Sequence, residues 1–522
     1  MSGASAQNGE ALLNRAQMCE RRGDVVGAID SYKSFLARHP DDPMAARARA
    51  VCAQAMLMSN RLTQALDLVN EAKAHELDEP DLCYVVAQVH AYSGNMEESL
   101  GAARRAVELE PNKAPFISIL VTALVYKGES EEAIGVLDGA WARGLDAPEL
   151  DNALATLATK AGRVDEAIDR INRRMKKEIP DPKLRIELGF HLAGLYEKRG
   201  DYREAWEAVR KANGFAERMA MRGQEQTGKR PIPALGYVKP YIDRVSATCG
   251  IFDGERLSSL APTGDEPADR SEMIFVCGMP RSGTTLHEQI LSAHPEAESA
   301  GESNAVFQAK RGLKFGPKNM ARVLDTMRAS DWSGIGAGIL EELRSISGGS
   351  RVVVDKQPGN DEFVGLLAAC APGSSVILTR RDPRDVAISC YFRNFVIGHQ
   401  WATDMRAILG FQRAKLQMHE HWMKVIPAHA PWLRIMTSDY AELVSEPEGR
   451  TRVLLEHCGL GWDDSCLRFA ERDRFVPTLL PDQAKVGVYQ GSVAKWERYA
   501  EYLDPQTRKM FDFLAKRFGF EG

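Results

Sequence analysis

Apolar and polar positions follow two different rhythms along this 522-residue chain. In the second half, short apolar runs each end in a polar signal: IFVCG to Gly278, RVVVD to Asp355, SVILT to Thr379 and WLRIM to Met436. Runs of that kind fit strands buried on both faces. Helical stretches separate them. The pattern predicts a doubly wound parallel α/β sheet, in which ligands bind beyond the carboxyl ends of strands. In the first half the rhythm is helical, and it repeats. Gly23, Asn60, Gly94, Gly128, Gly162 and Gly200 are spaced by 37, 34, 34, 34 and 38 residues. Five positions after them stand Ala28, Ala65, Ser99, Ala133, Ala167 and Ala205. Twelve after them stand Ala72, Ala106, Ala140 and Ala212, with Phe35 and Arg174 as departures. Pro40 and Pro111 stand seventeen after Gly23 and Gly94. Gly or Asn makes a left-handed turn between two helices, the small residue lets the second helix lie close to the first, and proline ends the unit.

This period resembles the tetratricopeptide repeat. The resemblance implies about six helix pairs over residues 9–212, stacked into a right-handed superhelix. Its concave face is expected to bind a protein or peptide, with a homodimer contact or a spacer as the alternative. Arg174 breaks the small-residue rule, so the fifth unit has the weakest register. Residues 213–270 read as a connection. Arg218 to Arg230 is polar and basic, Pro231 and Pro233 interrupt it, Tyr237 to Cys249 predicts one more helix packing the repeat onto the rest, and TGDEPADR (263–270) is a linker by composition. Residues 271–520 form the second domain.

Composition narrows the class without naming it. The chain is 44% hydrophobic and 27% charged, enough for packed cores, and its net charge of −5 gives no bulk surface for nucleic acid. Nine cysteines without paired spacing favour reduced thiols and a cytoplasmic location. No basic-then-apolar leader and no run of 18 apolar residues is present, so no membrane span is expected.

The most informative stretch is IFVCGMPRSGTTLHEQILSAH, Ile274 to His294. It reads as strand, glycine turn, amphipathic helix. The loop G-x-x-x-x-G-T-T, Gly278 to Thr285, lets the backbone approach an anion and points the first helical amides at it. The lysine that normally reaches the terminal phosphates of a nucleoside triphosphate is replaced by Thr284. The positive charge stands instead at Arg281. In its form P-R-S-G-T-T-L the loop resembles that of sulfotransferases using 3′-phosphoadenosine 5′-phosphosulfate (PAPS), in particular the tyrosylprotein sulfotransferases and their bacterial relatives. The resemblance runs from Glu272 onward. It implies that Arg281, Ser282, Gly283, Thr284 and Thr285 hold the 5′ end of the donor.

Other segments match in order. In RRDPRDVAISCYFR, Arg380 to Arg393, Asp382 and Pro383 start a helix that puts Ser389 and Arg393 on one face. The donor is anionic at both ends, and Arg381, Ser389 and Arg393 match the family's 3′-phosphate segment. Lys356 matches a strand-end lysine that reaches the donor's bridging oxygen, with D-K-Q-P-G here in place of N-K-D-P-F. Glu302, 21 residues after Arg281, matches the general base, although the glutamate that follows it in the family is Ser303 here. His294 is the rival base by analogy with cytosolic sulfotransferases. It lies in SAHPE at the helix end, where relatives also carry His-Pro, and reads as structural. Tyr440 in SDYAELV resembles a nucleotide contact. Lys495 in LPDQAKVGVYQGSVAKWERY resembles a late-loop phosphate contact, with Ser492 a looser match. His419 and His421 read as surface residues, and no metal site is expected.

The implied chemistry is in-line attack of an acceptor hydroxyl on sulfur. Glu302 takes the proton, and Arg281 and Lys356 stabilise charge. The leaving group is already a phosphate, so no magnesium is called for. The implied acceptor is a protein tyrosine, with a glycan or small-molecule hydroxyl as the alternative. A P-loop kinase or NTPase would need the missing lysine. A repeat scaffold with a decayed enzyme would not be expected to keep Arg281, Lys356, Glu302, Ser389 and Arg393.

Overall fold

The computed structural model describes residues 2–59, 61–262, 272–316, 318–395, 399–471 and 493–520; Asn60, the linker 263–270 and Ser492 lie outside the described residues. The chain divides into two compact units. One runs to Phe215, the other takes over from Arg230, and the stretch between is shared.

The first unit contains six helix pairs among the described residues. They are Ser2–Arg21 with Val25–Arg38, Ala45–Met58 with Leu62–Asn70, and Pro80–Ser93 with Met96–Leu109. Then come Ala114–Lys127 with Ser130–Ala142, Pro148–Leu157 with Val164–Met175, and Pro182–Arg199 with Tyr202–Gln226. Gly23, Gly94, Gly128, Gly162 and Gly200 have φ between 65° and 92°. That conformation costs an L-residue with a Cβ roughly 1–2 kcal/mol. At Gly128 and Gly200 an added Cβ would meet nothing within 4 Å, so the backbone angle alone asks for glycine. The small positions Ala28, Ala65, Ser99, Ala133, Ala167 and Ala205 are each at most 1% exposed. Ser99 satisfies its hydroxyl by donating to the Ala87 carbonyl of its partner helix at 2.8 Å.

Arg174, the departure in the fifth pair, is answered by charge. It is buried, and its Nε donates to Asp151 Oδ2 at 2.7 Å. Arg170 Nε donates to Asp151 Oδ1 at 2.8 Å, and Asp146 pairs with Arg174 as well. The register is kept by an ion network where its neighbours use a methyl group. The last helix also runs on past residue 212 to Gln226. Its polar end is rich in Met, Arg, Glu and Gln, which are good helix formers.

The second unit is built on a five-stranded parallel sheet in the order β2-β3-β1-β4-β5. The strands are β1 Met273–Gly278, β2 Ala297–Gly301, β3 Val352–Asp355, β4 Ser375–Arg380 and β5 Arg434–Asp439. Four strands were expected, and β2 is the addition. Its sequence AESAG is no apolar run: its buried positions hold small residues, Ala297, Ser299 and Ala300, which form no apolar stretch. The central strand β1 is buried along its whole length. Ile274, Val276, Val352, Val354 and Ile377 share a core with Ile290, Leu291 and Leu454. Helix Val238–Ile251 occupies the segment expected to be helical. It packs within this unit on helix Met405–His429, with Tyr241 and Phe411 stacked at 4.3 Å. None of the nine cysteines is in a disulfide. Among the described residues no helix is long and apolar enough to cross a membrane.

The Arg174 network carries a prediction. Asp151→Ala removes the buried carboxylate that Arg170 and Arg174 share, leaving Arg174 with the exposed Asp146, and is expected to lower unfolding stability by about 3 kcal/mol in urea denaturation. A loss below about 1 kcal/mol would show that the pair is dispensable.

Candidate active site

The loop after β1 is shaped by two glycines that sterics would forbid to any other residue. Gly278 has φ 148°, and a Cβ there would sit 2.5 Å from Thr379 Oγ1. Gly283 has φ 100°, and its Cβ would sit 2.5 Å from the Tyr440 ring. Between them Arg281 itself takes φ 71°, rare for a residue with a side chain. Ser282 turns inward, donating to the Met279 carbonyl at 2.6 Å and lying 2.6 Å from Thr379 Oγ1, so it ties the loop to the end of β4. Thr284 is buried and Thr285 half-buried at the start of helix Thr284–Ser292, whose first amides have no acceptor within the helix. His287 braces the same turn. Its Nδ1 lies 2.9 Å from the Gly283 carbonyl and so carries the proton; Nε2 then accepts from Ser438 Oγ at 2.7 Å. Burial pushes its pKa down to about 4.

Helix Pro383–Tyr391, capped by Asp382, brings the second basic segment to this loop. Arg281 Nε donates to Ser389 Oγ at 3.0 Å, and Arg381 Nη1 donates to the Arg281 carbonyl at 3.0 Å. Arg381 lies over the Tyr440 ring at 4.8 Å. Burial first, then the charges of Arg393 and Arg381, hold the Arg281 guanidinium below its ordinary value. Lys495 comes to the same helix. Asp385 accepts from the amides of its neighbours Ala494, at 2.9 Å, and Trp496, at 3.0 Å. Lys495 Nζ lies 5.2 Å from the Phe392 ring. Arg281, Arg381, Ser389, Arg393, Tyr440 and Lys495 therefore gather around one loop and one helix. Cations crowded at a helix N-terminus suit a ligand with more than one negative charge.

A second cluster stands where β2 and β3 end. Lys356 is buried and donates to Glu302 Oε1 at 2.6 Å, and Glu288 Oε2 is 3.7 Å away. His294 stands at the other end of helix Thr284–Ser292 from the loop. Its Nδ1 accepts from the Glu296 amide at 3.1 Å and its Nε2 faces the Gly461 carbonyl at 3.1 Å, so both nitrogens serve the fold.

Some neighbours of the candidate site escaped the sequence reading. Glu288 shares a helix face with Thr284 and Leu291, a spacing that could have flagged it. Lys415 lies beneath the loop, with Nζ 3.4 Å from the Gly278 carbonyl and 2.6 Å from Asp361. His419, read as a surface residue, is buried and 2.9 Å from the same carboxylate. His421, also read as surface, is half-buried and faces the Phe252 carbonyl at 2.9 Å. Both stand on the long helix Met405–His429, whose inner face is covered by the second unit. Burial alone would raise Asp361, but Lys415 and His419 hold it below the usual carboxylate range. Among the described residues no group of three His, Cys, Asp or Glu could hold a metal ion.

The fold and this site define a parallel α/β domain with a glycine loop beside a basic helix, together with a helical repeat. Comparison with known proteins sharpens both halves. Residues 273–464 match the model of the sulfotransferase family, and residues 4–211 match that of the tetratricopeptide repeat. The chain thus carries tetratricopeptide repeats and a sulfotransferase-family domain. It is 31% identical to an uncharacterized protein of Aquifex aeolicus, over 65% of this chain and 43% of that protein. It is 28% identical to protein-tyrosine sulfotransferase 1 of Danio rerio, over 38% of this chain and 56% of that one. It is 26% identical to protein-tyrosine sulfotransferase 2 of Gallus gallus, over 38% and 54%. The chain spans about half the length of the relatives it matches.

His287 makes this site acid-sensitive. Its folded pKa lies below its unfolded value, so the unfolded chain binds the extra proton first as pH falls. The stability contributed by neutral His287 is complete above about pH 6.5 and lost between there and about pH 4, at about 1.4 kcal/mol per pH unit. Thermal melting is expected to fall over this window and to fall less steeply in His287→Gln. An unchanged slope in the variant would show that His287 is not the group responsible.

Proposed function

We propose that the second unit transfers a sulfuryl group from PAPS to an acceptor hydroxyl, and that the acceptor is a protein tyrosine. One observation carries the reading. The glycine loop and the Arg381–Arg393 segment, about a hundred residues apart in sequence, meet through Arg281–Ser389 and Arg381–Arg281, each at 3.0 Å. Two adjoining basic segments suit a nucleoside with phosphate groups at both its 3′ and 5′ positions.

On this reading Arg281, the Ser282 and Gly283 amides, Thr284 and Thr285 hold the 5′ end. Arg381, Ser389, Arg393 and Lys495 hold the 3′-phosphate, and Tyr440 lies against the nucleoside. The donor supplies a sulfuryl group already attached to a phosphate leaving group. Glu302 takes the acceptor's proton as the acceptor oxygen bonds to sulfur and the bond from sulfur to the phosphate oxygen breaks. Lys356 and Arg281 stabilise the charge that passes to that oxygen. Residues 271–520 are assigned to this transferase, 9–212 to a repeat that grips the acceptor protein, and 213–270 to the connection, with the cytoplasm as the compartment. Support for a tyrosine acceptor comes from the names of the Danio rerio and Gallus gallus relatives. A repeat that holds a peptide raises the local concentration of its hydroxyl.

The nucleotide test is direct. The protein is expected to bind 3′,5′-adenosine bisphosphate at least about tenfold more tightly than ATP without magnesium, since each charge-assisted contact contributes roughly 1.5–3 kcal/mol. Equal affinities would sink the proposal.

The acceptor and the base are tested together with labelled PAPS and a whole-cell lysate. The wild type is expected to label protein tyrosine. Glu302→Gln should lose about two to four orders of magnitude in turnover while keeping bisphosphate affinity. Label confined to glycan would overturn the tyrosine assignment, and a near-normal rate in Glu302→Gln would remove Glu302 as the base.

A further inference from the structure

Glu288 has no part in the chemistry proposed above, yet it stands within reach of Lys356. Lys356 is 3% exposed, and its Nζ lies 2.6 Å from Glu302 Oε1 and 3.7 Å from Glu288 Oε2. The two carboxylates differ in kind. The Glu302 side chain is 45% exposed, on the turn after β2. The Glu288 side chain is 10% exposed, on the helix behind the glycine loop, and its other oxygen accepts the Ser299 hydroxyl of β2. Backbone geometry holds the cluster together, because the Lys356 amide donates to the Gly301 carbonyl at 2.9 Å. One buried ammonium therefore faces a wet carboxylate that can turn away and a dry one that is fixed.

That difference matters once Glu302 must serve the acceptor. A carboxylate cannot hold an ammonium tightly and receive a hydroxyl proton at the same oxygen. When Glu302 turns, a buried lysine without a counter-ion gives up its proton. Asp355, next in the chain, is poorly suited to replace it. It is buried, it accepts from Asn360 at 2.9 Å, and burial pushes its carboxyl up to about 7. Glu298 on β2 is turned toward the Ser299 amide at 3.2 Å, and His287 has both nitrogens committed to Gly283 and Ser438.

We propose that Glu288 is a positioning residue that keeps Lys356 charged and aimed during transfer, Lys356 being handed from Glu302 to Glu288 as Glu302 engages the acceptor. This rests on the sulfotransferase reading, and the experiment separates the two. The first readout needs no reaction: the lysine ε-carbon NMR titration of the full chain, with Lys356 assigned through Lys356→Arg. Lys356 should stay protonated through the ordinary lysine range in Glu288→Gln and in Glu302→Gln, and titrate at least about two pH units lower in the double variant. A double variant titrating like Glu302→Gln alone overturns the proposal. The second readout is turnover. Glu288→Gln should lower kcat about tenfold to a hundredfold, leave KM and bisphosphate affinity within about threefold, and move the alkaline limb of the rate profile to lower pH. Glu288→Asp, which keeps the charge at shorter reach, should lower kcat without moving that limb, and it serves if the Gln variant does not fold. Wild-type kcat and limb in Glu288→Gln would mean that Glu288 only packs. A wild type that transfers no sulfuryl group, with the titrations as stated, would overturn the sulfotransferase reading and the hand-over during transfer, and would still support Glu288 as the second counter-ion of Lys356.

Discussion

Positive charge buried beside positive charge is the constraint around which the second unit is arranged. Arg281 sits in a left-handed turn, half-buried, with Arg381 and Arg393 acting on it. Folding alone gains nothing from that arrangement. The structure offsets it piecemeal. The Ser389 hydroxyl takes one Arg281 N–H, the Arg281 carbonyl takes one from Arg381, and Arg381 rests on the electron-rich face of Tyr440. Asp385 stands 3.9 Å from Arg381 but spends both oxygens on the Ala494 and Trp496 amides. The Arg281 guanidinium is thus answered by a hydroxyl, while Arg381 shares its charge with a backbone carbonyl, a ring face and Asp385.

The loop that presents Arg281 is held from both sides. Above, Ser282 and Thr379 lock it to β4, and Gly283 lets Tyr440 lie flat against it. Below, Lys415 approaches the Gly278 carbonyl, its own charge matched by Asp361 and shared with His419. The Trp422 indole donates to the Asp361 carbonyl at 2.9 Å, which anchors that carboxylate from the backbone side. The loop thus lies between a hydroxyl pair and a neutralised ion cluster.

Local signals in the chain were legible, and pairings across distance were not. The repeat glycines could be read because a left-handed turn is a one-residue demand. β1, β3 and β4 could be read because burial on both faces leaves only apolar choices, and the half-buried edge strand β5 could be read because the run WLRIM at its start is largely apolar. AESAG escaped because its buried positions are filled by Ala and Ser, which make no apolar run, and the histidines at 419 and 421 were misread because helical context does not reveal which face is covered. The candidate site residues were found by resemblance in short motifs and are brought together around the loop, the helix after β4 and the ends of β2 and β3. Lys415 and Asp361 had no motif to mark them, and Glu288 had only its spacing on the helix face. Their meaning lies in partners that Lys356 and Gly278 supply from far along the chain. Arg174 shows the same limit in the repeat, where a broken pattern concealed a buried salt bridge to Asp151.

The place of β1 at the middle of the sheet bears on how the chain is made. Each helix pair of the repeat closes on its immediate neighbours, so that region can fold as it leaves the ribosome. The strand β1 emerges next and must wait. Met273 pairs with Val353 and Ile274 with Ser375, about 80 and about 100 residues further along. At about 5–20 residues per second that is several seconds to tens of seconds during which the central strand of the sheet has no partner. The finished repeat stands upstream throughout that interval. The order of the two regions therefore places the quick local fold before the slow long-range one.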